Sequence, residues 1–401
     1  MRDRTRRAPR PPCPRRDPSP HRGRTLSGID HRSHGGRTRE LAQKAGIAEA
    51  ELLDFSANLN PGGAPSWLAE ALAEGARRIG VYPDPDAELV KAAASARHGI
   101  PPDRFLFADG ADSLILALPH ATGAKSCVFP LPSYSGYARA ALRSRIPSFP
   151  LALESGRDFS LADPAFLERL THLLGSLPPP ALFIAGSPNN PVGGSPPLPE
   201  MRRLAGRFPD HIIALDESFA ELAGDARGAI GSPEPNLLVI RSLTKTWAVP
   251  GARIGFASGH PELLARLRAE LGAWPLSCFA EAIAIHALAD AEGATRAAAM
   301  VTREEAPLVA GLGELDGLKV FRSGANFLLL RFSRPGGGIR AAATLLRKGI
   351  AIRTFTEDEG LDGSHARIAV RTAPENRRLL EALADFLATE TAPSTSDGKT
   401  N

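Results

Sequence analysis

Six short apolar runs, Phe105–Ala108, Cys127–Pro130, Leu182–Ala185, Ile212–Leu215, Leu237–Ile240 and Ile254–Ala257, alternate with stretches of helical periodicity. Each run is too short for a helix and apolar throughout, as a strand covered on both faces must be. Strands separated by helices pair in parallel through crossover connections, so the alternation predicts an α/β fold with a mostly parallel sheet between helices.

The pattern changes past Leu264, where a helical stretch broken near Trp274–Pro275 runs toward Gly311. Leu318–Phe321, Phe327–Phe332, Ile350–Arg353 and Ile368–Val370, with helices at 338–348 and 375–388, then predict a smaller α+β unit. Upstream, residues 37–45 have helical spacing, Leu53–Ser56 is extended, and residues 58–63 are turn-rich. Ser66 is the expected N-cap of a helix over Trp67–Arg78, and another helix follows the turn at 82–86. The expected organisation is a basic tail at 1–33, an N-terminal segment at 34–80 packing with the small domain, a large domain at 81–290, a small domain at 291–390 and a tail at 391–401.

The chain of 401 residues is 43% hydrophobic and 23% charged, which excludes a wholly disordered or fibrous protein. No run approaches the ~18–20 apolar residues of a membrane helix, and no membrane partner is expected. The net charge of +4 is misleading, because residues 1–33 hold ten Arg against Asp3, Asp17 and Asp30. The body is therefore slightly acidic, and the Pro/Arg-rich tail, like the C-terminal one, is read as disordered. No nucleic-acid partner is expected, since 33 such residues cannot fold a helix-turn-helix. Cys13, Cys127 and Cys278 form no CxxC pair, so neither a disulfide framework nor a metal site is expected, and a reducing cytoplasm is.

The chemistry concentrates at strand ends. The segment from Ser242 to Gly255 follows Leu237–Ile240 and carries Lys245, one of only seven lysines, among hydroxyls and eight residues before Arg253. Lysine forms Schiff bases with aldehyde cofactors, and Ser242, Thr244 and Arg253 have the donors a phosphate needs. Asp216 ends the run Ile212–Leu215, where a carboxylate could hold a pyridine nitrogen protonated or simply cap a loop. Asn190 lies in the turn-rich 186–193, as a hydrogen-bond donor or an ordinary turn residue. Gly110, Ala111 and Asp112 open a helix after a strand, where backbone amides suit phosphate and carboxylates cap equally well. Tyr134 has an aromatic face for a planar ring.

In order and spacing these segments resemble the fold-type I pyridoxal-phosphate enzymes, in the histidinol-phosphate aminotransferase-like branch, over residues 33–390. The resemblance implies pyridoxal 5'-phosphate bound in the 81–290 domain, with Lys245 as its Schiff-base and proton-moving residue. It implies Asp216 on the pyridine nitrogen, Asn190 on the phenolic oxygen, Tyr134 stacked on the ring, and Gly110, Ala111, Asp112, Ser242, Thr244 and Arg253 as the phosphate cradle. Tyr82 would reach in from a second subunit of a homodimer with shared active sites, and Arg367 would grip the substrate α-carboxylate.

Within the branch, residues 33–36 and 54–61 and Phe219 resemble the threonine-phosphate decarboxylases of cobalamin biosynthesis; aminotransferases of the branch usually carry tyrosine at the Phe219 position. That likeness implies decarboxylation of a small phosphoamino acid, O-phospho-L-threonine, to (R)-1-aminopropan-2-ol phosphate, with His34, Asn60, Asn190, Arg353 and Arg367 on the substrate side. The alternative is a histidinol-phosphate-type aminotransferase built on the same cofactor residues.

Overall fold

The computed structural model describes residues 35–225 and 227–391. The tails expected at 1–33 and 391–401 fall outside that range, residue 391 excepted, as does His34.

Thirteen strands occur among the described residues: β1 (Leu53–Asp54), β2 (Phe105–Ala108), β3 (Ser126–Leu131), β4 (Ser148–Ala152), β5 (Ala181–Gly186), β6 (Ile212–Asp216), β7 (Leu237–Ser242), β8 (Gly255–Ser258), β9 (Leu318–Phe321), β10 (Phe327–Phe332), β11 (Ile350–Ala351), β12 (Arg353–Thr354) and β13 (His365–Ala369). Seven form one sheet in the order β2-β8-β7-β6-β5-β3-β4, and only β8 runs against its neighbours. No apolar run announces β4, because its sequence SerPheProLeuAla is half-exposed and interrupted by Pro150, a residue that sheets accept at an edge.

Alternate residues of the sheet enter two separate cores. Phe105, Phe107, Phe183 and Phe256 face one side, with the helices Glu88–His98, Pro164–Ser176 and Cys278–Ala289. Leu106, Cys127, Phe129, Leu182 and Ile240 face the other, with Ala111–Thr122, Gly136–Arg143 and Pro261–Ala269. Burial of each large apolar side chain stabilises by roughly 1.5–3 kcal/mol.

The small domain is a four-stranded antiparallel sheet in the order β12-β13-β10-β9, packed on the helices Gly337–Arg347 and Ala373–Thr391. The single strand expected over Ile350–Arg353 is two: β11 pairs in parallel with β1, whereas β12 joins the four-stranded sheet. The helix Ala291–Gly313 joins the domains, with Ala294 in the large core and Leu308 and Leu312 in the small one.

The N-terminal segment meets both domains. Its helix Thr38–Ala45 lies against Gly337–Arg347, whereas Leu68–Arg77, expected against the small domain, packs on Cys278–Ala289 of the large one. Ser66 does not cap that helix; Trp67 stands at the N-cap position without a side-chain hydrogen bond, and its indole Nε1 instead donates to Asp290 Oδ2 at 3.1 Å.

Candidate active site

The C-terminal ends of β2, β3, β5, β6 and β7 lie along one edge of the large sheet, where open α/β sheets hold ligands. Here they enclose a cavity of about 150 Å³ lined by Gly110, Asp112, Tyr134, Asn190, Asp216 and Lys245, among others. Beyond it a vestibule of about 560 Å³ is roofed by Gly35, Gly36 and the segment Asp54–Leu59 and reaches Arg367.

Asp216 ends β6, buried at 8% exposure, with three donors on its carboxylate. Oδ1 accepts from Ser218 N at 3.1 Å and Ser218 Oγ at 2.5 Å, and Oδ2 accepts from the Tyr137 hydroxyl at 2.9 Å. Burial raises its pKa, and the hydrogen bonds from Ser218 and Tyr137 and the charge of Lys245 oppose that rise. The same desolvation, with the Asp216 charge and hydrogen bond, raises the Tyr137 phenol well above its ordinary value. The carboxylate is thus fixed in orientation and placed to face a cation in the cavity.

Lys245 sits in the one-turn helix Leu243–Thr246 directly after β7. Burial first, then the Arg367 and Arg253 guanidinium charges, lowers its ammonium to about 8, with Asp216 pulling the other way. Such a lysine has a substantial neutral, nucleophilic fraction near neutral pH.

One corner of the cavity is fitted for a phosphate. Gly110, at φ +115°, precedes the twelve-residue helix Ala111–Thr122, and no side chain caps its first turn. A Cβ on Gly110 would stand 2.6 Å from Arg253 Nη2, so the absence of a side chain is what lets the guanidinium in. Ser242 Oγ and Thr244 Oγ1 meet at 2.8 Å beside it, and no carboxylate among the described residues pairs with Arg253. A helix N-terminus, two hydroxyls and an unneutralised guanidinium form an anion site.

The Asp112 carboxylate is turned away from the phosphate corner, accepting from Arg139 Nη2 at 2.6 and 2.5 Å and from the Tyr134 hydroxyl at 2.9 Å, while its backbone amide remains among the uncapped donors of the first turn. Tyr134 therefore has its ring in the cavity wall and its hydroxyl engaged, and its phenol pKa is raised chiefly by burial.

In the vestibule, Arg367 of β13 is 7% exposed, donating to Asn190 Oδ1 at 2.6 Å and to the Ser56 carbonyl, with Nε unpartnered. Burial and the charge of Arg353 depress its pKa. Asn58, missed in the sequence, is 4% exposed, lines the vestibule, and has neither amide atom hydrogen-bonded. A buried unpaired amide is costly unless a ligand completes it.

Two expected site residues lie elsewhere, and Tyr82, expected at a second subunit's site, lies outside its own chain's cavity. Asn60 does not line the vestibule; its backbone N donates to Lys245 O at 3.0 Å and Nδ2 to Thr246 O at 2.9 Å, so it clamps the lysine turn from behind. The two asparagines do not share a face because the chain between them is not extended: Leu59 N donates to the Ala57 carbonyl at 3.1 Å in a tight turn centred on Asn58, and Asn60 Oδ1 then accepts from Gly62 N in the next turn. Arg353 lines neither cavity, being paired with Glu359 at 2.5 Å. Tyr82 is 75% exposed and stacks on Trp274 with centroids 4.2 Å apart, away from its own chain's cavity.

A buried acid and a lysine of lowered pKa sharing one cavity, with an anion cradle at its corner and a parallel sheet ending on it, define a pyridoxal-phosphate enzyme of fold type I. The chain belongs to the aminotransferase class I and II family, whose model matches residues 50–383. It is 33% identical over 360 residues to the threonine-phosphate decarboxylase of Salmonella typhimurium, covering 88% of this chain and 96% of that one. Identity to the bifunctional adenosylcobalamin biosynthesis protein CobDQ of Leptospira interrogans is 31% over 355 residues, covering 88% of this chain but only 41% of that protein. Identity to the histidinol-phosphate aminotransferase of Aromatoleum aromaticum is 32%, covering 84% and 93%. Among solved structures, the histidinol-phosphate aminotransferase of Clostridium acetobutylicum superposes with TM-score 0.76 at 27% identity, covering 84% of this chain and 100% of that one. The Sinorhizobium meliloti histidinol-phosphate aminotransferase, solved with pyridoxal-5'-phosphate, gives 0.77 at 21%, covering 88% and 95%. The cofactor is pyridoxal 5'-phosphate.

Proposed function

We propose that the protein decarboxylates O-phospho-L-threonine to (R)-1-aminopropan-2-ol phosphate. The observation that carries this reading is the vestibule: Arg367 is held there by neutral acceptors, beside Asn58 with its amide unpaired, so the wall offers donors to more than one anionic group of an amino acid. Phe219, which lines both cavities and packs on Phe327 with centroids 5.2 Å apart, supports the decarboxylase over the aminotransferase, because it brings no hydroxyl to the inner cavity.

The bound cofactor supplies an aldehyde and an electron-accepting ring. Gly110, Ala111, Ser242, Thr244, Arg253 and the Asp112 backbone amide would hold its phosphate, Asp216 would pair with its ring nitrogen, and Tyr134 would cover its ring. Asn190, whose Oδ1 accepts from Arg367, would donate to its phenolic oxygen. Arg367 would fix the substrate carboxylate and so decide which bond at Cα breaks. As the bond from Cα to the carboxylate breaks, CO₂ leaves; Lys245 would supply the proton that replaces it on Cα, and the phosphate ester is untouched.

The second reading, histidinol-phosphate aminotransfer, uses the same residues and is favoured by near-equal identity to such enzymes. The purified, cofactor-loaded protein is to be incubated with O-phospho-L-threonine and no keto acid. Equimolar CO₂ and aminopropanol phosphate support the first reading; no CO₂, with amino transfer from histidinol phosphate to 2-oxoglutarate, overturns it.

A homodimer is part of the proposal. Ile79, Val81, Tyr82 and Trp274 are large and exposed, and Tyr82 is thereby placed to serve a neighbouring subunit's cavity. Sedimentation showing a fully active monomer overturns this. No helix among the described residues is long and apolar enough to cross a membrane, and Cys127 and Cys278 are buried free thiols, which supports a cytoplasmic site of action.

A further inference from the structure

Arg353 and Arg367 are direct cross-strand partners on β12 and β13, so their side chains leave the sheet on the same face. Only Arg367 reaches the vestibule. The Arg353 guanidinium is turned onto Glu359 Oε1 at 2.5 Å, with the two side chains 13% and 11% exposed, and also donates to the Thr354 carbonyl and lies 4.8 Å from the Phe355 ring.

Glu359 is built into this place. Its Oε2 accepts from Thr356 N at 3.2 Å and Thr356 Oγ1 at 3.3 Å, closing the single turn Glu357–Glu359. The next residue, Gly360 at φ +81°, packs against the end of β3, where a Cβ would come within 2.6 Å of Leu131 Cγ. The turn is thus wedged between the two domains, with one carboxylate oxygen aimed at the arginine.

We infer that Glu359 is a specificity-determining positioning residue, an internal carboxylate that occupies Arg353 until the phosphate of a doubly charged substrate displaces it. A monoanion replacing a monoanion in a partly desolvated pair gains little, whereas a phosphate dianion offers more charge and more acceptor oxygens to the same guanidinium. The pair therefore discriminates by charge: it admits phosphorylated amino acids and gives no foothold to plain ones. The inference rests on the proposed phosphoamino-acid substrate and on Arg353, which leaves the sheet beside Arg367, turning to the vestibule once Glu359 releases it.

The test compares cofactor-loaded wild type with Glu359→Gln, Glu359→Ala and Arg353→Gln. Inorganic phosphate is titrated calorimetrically, the cofactor's own phosphate site being filled, and kcat and KM are measured with O-phospho-L-threonine. Freeing the arginine is expected to lower the phosphate Kd and the KM by roughly three- to tenfold, with kcat changed less than about twofold. The two Glu359 variants are expected to agree, so a folding failure in one leaves the other to decide. If Arg353→Gln weakens phosphate binding but neither Glu359 variant strengthens it, the pair is a structural strut and the inference is overturned while the substrate reading stands. If Arg353→Gln changes neither phosphate binding nor KM, Arg353 is no anion ligand, and the inference falls while the decarboxylase reading, carried by Arg367 and Asn58, stands.

Discussion

The Tyr137 hydroxyl donates to Asp216 Oδ2 at 2.9 Å, which ties the acid at the end of β6 to the helix Gly136–Arg143 packed on the sheet. Tyr137 is 1% exposed, so this hydrogen bond has no water to replace it. Tyr137→Phe keeps the packing and removes one of three donors from a desolvated carboxylate, a loss of about 1.5–3 kcal/mol for a charged acceptor. Asp216 should then be harder to ionise, and cofactor affinity and kcat should each fall roughly tenfold or more while the folded state persists. Equilibrium dialysis of the cofactor, read beside a melting curve, checks this; an unchanged affinity removes Tyr137 from the site.

Lys245 should govern the pH dependence of cofactor attachment. Its ammonium is lowered to about 8, so protonation increasingly blocks attack on the aldehyde as pH falls below that value. The rate of covalent attachment, followed by visible absorbance in the apoprotein, should rise about tenfold per pH unit up to roughly 8 and level off above it. A rate still climbing at pH 10 would mean that burial and the two arginines do not depress the amine. Lys245→Ala should lose the absorbance and the turnover together and keep the fold.

Asn60 separates two roles cleanly. If it acts through the lysine turn, Asn60→Ala loses the hydrogen bond to Thr246 O and lowers kcat with KM little changed, at a stability cost of about 1 kcal/mol. A large rise in KM with kcat intact would return Asn60 to the substrate wall that the sequence resemblance implied.

Gly110→Ala should be far more damaging than its size suggests. The position has φ +115°, and the new methyl would meet the Arg253 guanidinium at 2.6 Å. The arginine must then leave the phosphate corner, and cofactor affinity should fall by roughly a hundredfold. Retained affinity would show that the cradle does not depend on Arg253.

Much of this arrangement is legible in the amino-acid sequence. The strand runs ending near Gly110, Asn190, Asp216 and Lys245 can be read because buried parallel strands are apolar throughout and their C-terminal ends meet on one edge. The residues that escape such a reading share a cause. Asn58, Tyr137, Ser218 and Glu359 act through contacts with residues distant in sequence or through a local turn, and no period or motif marks them. Asn58 and Asn60 stand two apart in one polar stretch, and only the fold shows which faces the vestibule. Ile350–Arg353 reads as one strand because both halves are extended; that they join different sheets depends on the partners β1 and β13.

The stretch Asp54–Asn60 receives Ala369 N on Phe55 O, Arg367 on Ser56 O and Asn326 on Leu59 O from the small domain, and through Asn60 it holds the carbonyls of Lys245 and Thr246 in the large one. A few residues of backbone thus act as a ruler between Arg367, proposed to grip the substrate, and Lys245, proposed to react with it. The distance between grip and reaction is set by peptide geometry, so a lineage of this chain adapting to a longer or shorter substrate must change side chains at the vestibule wall. Re-angling the domains would drag the lysine along with the arginine.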